Sequence, residues 1–152
     1  MRVRYAQGYL MLGMLADAAR ELAGIPREDD ADRDVLEARL DLATQRRSWK
    51  TAVKLGEQLA TRYPEIEAGW IGWAYALREL QQVEEARAVL LEAEPRHGKK
   101  SALLHFNLAC YYALLGEPES ARERLERACK LDGRFKDDAM TDPDLASLRE
   151  DS

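Results

Sequence analysis

The chain has 152 residues, 34% of them charged, and a formal charge of −5. That acidic balance argues against a protein whose main work is to grip nucleic-acid phosphates, which takes clustered Lys and Arg. The length suits one domain able to bury a core without disulfide or metal staples, and Cys110 and Cys129, with neither a ligand spacing nor a disulfide framework, read as reduced thiols packed as small apolar groups.

Along the chain the helix formers Ala, Leu, Glu and Arg dominate, and no sustained alternation marks a strand. The first segment, Arg2 and Arg4 ahead of GYLMLGMLA, imitates a secretory leader, but the repeat register below claims the same residues for structure. Pro26 and the run REDDADRD interrupt it. Asp30, Asp32 and Asp34 open like a calcium loop, yet Val35 stands where glycine is needed and Asp41 where a glutamate would close it. The basic clusters Arg46-Arg47-Lys50-Lys54 and Arg96-His97-Lys99-Lys100 read as solvated helix ends.

Further breaks are expected at Pro64, at Pro95 through Gly98, at Gly116 to Pro118 and at Asp142-Pro143. Ser48 and Ser101 stand at helix starts as caps, and Pro118 and Pro143 suit a first helical turn. The stretch SALLHFNLACYYALLG carries no charge from Ala102 to Leu115. It falls short of the about 20 apolar residues that cross a membrane. Something in the fold, or a partner, must cover it.

Self-similarity organises these segments. LGMLADAARELAGI, RELQQVEEARAVLLEA and LLGEPESARERLERA align Ala18, Ala86 and Ala121, each followed four residues later by Leu22, Leu90 and Leu125. Ala52 falls midway between the first two, so four units recur every 34 or 35 residues, at about 1–32, 33–66, 67–101 and 102–135, with a cap over 139–152. In that cap Asp142 is the expected N-cap, Pro143 the first helical residue, and Leu145 and Leu148 the face laid on the last helix.

This period and pattern resemble the tetratricopeptide repeat, a helix-turn-helix of 34 residues. The fourth unit carries the likeness best, in Leu108, Ala109, Tyr112, Gly116, Ala121, Leu125 and Ala128. The third carries it in Trp70, Ala74, Ala86, Leu90 and Ala93. The second departs most, with Gly56 where a large apolar residue is usual and Arg39 where leucine is. DPDLxxLR after an NLACYYALLG-like unit is similar to the end-of-group form of many bacterial proteins. The resemblance implies an all-α, right-handed superhelical solenoid of about four antiparallel helix pairs with a short C-terminal capping helix, cytoplasmic rather than periplasmic or secreted. Large residues on the repeat pattern are expected to be core.

The same resemblance places function on the first-helix faces turned away from the packing stripe. In the second unit that arc holds Asp34, Glu37, Asp41, Thr44 and Gln45; in the third, Ala68, Ile71, Gly72, Tyr75, Arg78 and Glu79; in the fourth, Leu103, Phe106, Cys110, Ala113 and Leu114, with Asn107 at its edge. The expected partner-binding groove is therefore Glu37, Asp41, Ile71, Tyr75, Arg78, Leu103, Phe106, Asn107, Cys110 and Leu114, acidic in the middle and apolar toward its C-terminal half. A carboxylate clamp does not fit, since Glu37 and Asp41 replace the Lys and Asn it needs and Gly72 its second Asn.

His97 and His105, eight apart, have no ligand or nucleophile at a working spacing, and no glycine-rich phosphate cradle is present. The expectation is a non-catalytic protein–protein interaction module without cofactor or metal. It would bind an apolar peptide or helix of some basic character, and neither nucleic acid nor membrane. Self-association into a homodimer through the apolar face is the alternative, and the chain's own C-terminal segment is a third possible cover for that face.

Overall fold

The computed structural model describes residues 2–150, which contain ten α-helices and no strand. Eight helices follow one another two by two across three-residue turns: α1 (Arg2–Met11) then α2 (Leu15–Ala23), α3 (Arg33–Gln45) then α4 (Trp49–Arg62), α5 (Glu67–Glu79) then α6 (Val83–His97), and α7 (Ala102–Leu114) then α8 (Pro118–Leu131). The short helices α9 (Phe135–Thr141) and α10 (Ala146–Glu150) follow, and single 3-10 turns lie at Arg27–Asp29 and Pro143–Leu145.

The turn inside each pair repeats at the level of the backbone. Gly13, Arg47, Gln81 and Gly116 all have positive φ, between 58° and 77°, and stand 34, 34 and 35 residues apart. Each is the left-handed residue that ends a first helix. In three of the turns the next amide donates back five residues, Met14 to Tyr9, Ser48 to Ala43 and Glu117 to Tyr112, at 2.8–2.9 Å. That hydrogen bond satisfies a terminal carbonyl and reverses the chain, so in these three pairs the two helices lie against each other. Glycine enters this conformation without strain, whereas Arg47 and Gln81 do so at a cost of about 1 kcal/mol each.

The repeat alanines Ala18, Ala52, Ala86 and Ala121 are all fully buried, as are Ala6, Ala74 and Ala109 one helix earlier. The chain divides into two compact units, residues 1–80 and 81–152. In the first, α1 and α2 close over Ala6, Leu10, Ala18, Leu22 and Ala38, so the leader-like segment folds as the first helix pair. Leu36, Leu40, Ala43, Ala52, Leu59 and Ala76 form the next cluster.

Glycine explains the divergent second repeat. A Cβ on Gly56 would lie 2.7 Å from Cα of Trp73, and one on Gly69 would lie 2.8 Å from the amide nitrogen of Ala60. Helices α4 and α5 thus cross backbone to backbone, and the space usually filled by a large side chain at position 56 is taken by the neighbouring helix itself. Trp70 anchors the start of α5 by donating its indole N–H to the carbonyl of Pro64, 2.9 Å away.

In the second unit α7 is packed by α6, α8, the Pro143–Leu145 turn and α10. Nine of its thirteen residues are buried, which accounts for its lack of charge. Helix α6 runs through Pro95 to His97 rather than breaking there, because a proline so near the end removes a single helical hydrogen bond. Pro118 opens α8 at its first position. Ser101 caps α7, its Oγ accepting from the amide of Leu104, whereas Ser48 stands at the start of α4 without such a bond. Asp142 accepts the amide of Asp144 at 2.9 Å, but the segment it caps begins as a 3-10 turn before α10, with Leu145 and Leu148 buried.

Candidate functional site

Within the first unit, the non-packing arcs of α3 and α5 supply Glu37, Asp41, Ile71, Tyr75 and Arg78. Asp41 is exposed, Tyr75 is 43% exposed, and Glu37, Ile71 and Arg78 are half-buried. Glu37 pairs with Arg33 at 3.7 Å. Gln45, one turn beyond Asp41, donates both amide hydrogens, to the Asp41 carboxylate at 2.9 Å and to the Leu10 carbonyl at 3.2 Å.

Beside this arc lies a cavity of about 340 Å³ lined by Thr44, Gln45, Arg47, Trp49, Tyr75 and Glu79. The rings of Trp49 and Tyr75 meet at 5.7 Å with a 58° tilt. Trp49 begins a second helix, so a reading that looks only along first helices passes it by; the three-residue turn brings it round to the first-helix face. A larger cavity, about 670 Å³, lies between α3 and α4 near Arg39, whose guanidinium is tied to the Leu22 carbonyl and Asp30. Asp30 is thus the partner of an arginine.

In the second unit the expected apolar face is divided. Phe106 and Cys110 are 6% and 4% exposed. Phe135 of α9 stacks on Phe106, centroids 4.8 Å apart at 27°, and the Cys110 sulfur lies 4.0 Å from an Asp142 oxygen. The chain's own C-terminal segment therefore covers both, the third of the covers the sequence left open beside a partner and a second copy; aromatic stacking and apolar burial favour that closure. Leu103 and Leu114, at 40% and 42%, stay exposed, and Asn107 is half-buried. Cys110, Asp142 and Asp144 are close enough to share an ion, but Asp142 already caps the turn.

A buried polar network was not foreseen. His105, 2% exposed, occupies in α7 the place that Trp70 holds in α5, and its Nε2 donates to the Gly98 carbonyl at 2.7 Å. Nδ1 then accepts from Arg124 at 3.2 Å, which fixes the neutral tautomer because a guanidinium cannot accept. Arg124 also grips Glu94 with two hydrogen bonds. The hydrogen bond from Arg124, reinforced by its charge, holds the Glu94 carboxyl below the usual glutamate range against the opposing effect of burial. The network ties α6, α7 and α8 together and leaves His105 no free nitrogen for catalysis.

No family model and no curated protein matches the sequence. Solved structures match in three dimensions. TTC0263, a thermophilic TPR protein of Thermus thermophilus, gives a TM-score of 0.76 at 23% identity, over 97% of this chain and 79% of that one. A crystal structure of MamA gives 0.75 at 12% identity, with 95% and 90% covered, and MamA of MSR-1 gives 0.74 at 20%, with 88% and 76% covered. The chain has the tetratricopeptide-repeat fold. Among the described residues, no helix is long and apolar enough to cross a membrane.

Proposed function

We propose that this chain is a non-catalytic protein-interaction module that takes a peptide or helix of a partner on the face formed by Glu37, Asp41, Ile71, Tyr75 and Arg78. The observation that carries this reading is the exposure of Tyr75, a large aromatic left 43% open and lining a cavity with Gln45, which in turn holds the exposed carboxylate of Asp41. Exposed aromatic anchors rimmed by charge are what binding hot spots are made of. On the second unit Leu103, Asn107 and Leu114 would offer further contact, with Phe106 and Cys110 taking part when the C-terminal segment lifts. The partner is apolar with a basic residue placed for the acidic groups, and the chain works inside the cytoplasm.

Comparative capture tests the reading. Partners retained by the parent chain from native extract should be lost from the folded Tyr75→Ala/Asp41→Lys variant; an unchanged set removes this face from consideration. Self-association is the second reading, favoured by the exposed pair Leu103 and Leu114 on one helix. Light scattering decides it, since a monomer at micromolar concentration would sink it.

A further inference from the structure

The cavity beside Tyr75 has a chemical character of its own, and the inference drawn from it rests on the interaction reading above. Besides the Arg47 guanidinium, its wall presents several acceptors. Gln45 has committed both amide hydrogens, to Asp41 and to the Leu10 carbonyl, so it has the lone pairs of Oε1 left to offer. Thr44 has committed its hydroxyl hydrogen to the Leu40 carbonyl, 2.9 Å away, and likewise retains lone pairs. Glu79, half-buried, forms no ion pair among the described residues. Two tilted aromatic rings, Trp49 and Tyr75, line it as well.

Three sets of acceptors beside two π-faces suit a ligand that is flat, cationic and rich in donors. A guanidinium meets each requirement: it stacks on a ring face, carries five N–H donors in one plane and never loses its charge. An ammonium, compact and strongly hydrated, uses the ring faces less well. We propose that this cavity is the specificity pocket of the interaction face and receives an arginine side chain of the partner. Arg47 also lines the cavity and is exposed. Its charge opposes a cationic guest, while Glu79 and the neighbouring Asp41 favour one. The balance of two carboxylates against one guanidinium is negative, and removing Arg47 should strengthen binding.

The experiment is an NMR titration of the full chain with a blocked glycine–arginine–glycine peptide, read at the indole N–H of Trp49. Matched peptides carry citrulline, the uncharged isostere, or lysine. The expected result is a saturable shift with the arginine peptide, weaker by about tenfold with citrulline and by about threefold with lysine. Glu79→Gln and Tyr75→Ala should each weaken binding by about threefold to tenfold, and Arg47→Ala should tighten it by about twofold. Unchanged indole signals of Trp70 and Trp73 verify that the variants are folded. No saturable shift, or equal affinity for arginine and citrulline, overturns the pocket, and tighter binding of lysine overturns its selectivity. A flat titration together with capture that Tyr75→Ala/Asp41→Lys abolishes would remove the arginine pocket and leave the interaction face standing; a positive titration with unchanged capture would do the reverse.

Discussion

At Gly56 a single missing Cβ sets how closely two helices approach. The atom would fall on the backbone of Trp73, which cannot rotate away. Gly56→Ala should therefore destabilise the chain by about 1–3 kcal/mol despite the better helix propensity of alanine. Gly8, also helical but with open space around its missing Cβ, is the control. There alanine should stabilise by about 0.5–1 kcal/mol. Thermal unfolding of both variants reads the two signs. The sequence displayed Gly56 as a departure from the repeat pattern and no more. A pattern of side chains along one strand of text does not show that the missing volume is returned by a neighbouring helix.

Helix α9 is the element whose role was least legible. It has seven residues, none of them buried, and its apolar side chains are few, so neither length nor periodicity announces it. Yet Phe135 covers Phe106, and the turn after it covers Cys110. Ending the chain after Asp132, in a Cys129→Ser background, should speed labelling of Cys110 by a thiol reagent at least about tenfold, because protection then depends on a cover that is gone. An unchanged rate would show that α7 is shielded by α6 and α8 alone. The Glu94–Arg124 pair belongs to this scale too. Its carboxyl pKa is depressed in the folded state, so its contribution is present above the ordinary value of 4.5 and is lost as the pH falls through the lower folded value. Glu94→Gln should cost about 1 kcal/mol at pH 7, and in urea titrations the gap should narrow progressively as the pH falls below 4.5.

For the whole molecule, the fold was readable because one small residue recurs: four alanines at a period of 34 or 35, each fully buried. The candidate site was readable only in part. Tyr75 and Asp41 stand where the repeat register puts them. The Trp49 ring beside Tyr75, the use of Gln45's hydrogens and the covering of Phe106 depend on side-chain meetings across helices, which periodicity along one helix does not encode. Net charge contributes at this scale as well. If a basic partner segment docks on the acidic face, capture should weaken several-fold between about 50 mM and 500 mM salt, as screening shortens the reach of Asp41 and Glu79. Salt-independent capture would point to an apolar partner instead.

The left-handed residue in all four turns also makes the chain divisible. A segment cut from Gly13 to Arg47, or from Arg47 to Gln81, begins and ends at a residue of positive φ within about 15° of its counterpart, so exchanging its two ends asks little backbone change of either. These turns are natural splice points: a shortened or lengthened chain joined there inherits a ready-made reversal. Writing glycine at Arg47 or Gln81 would make those joints easier to close.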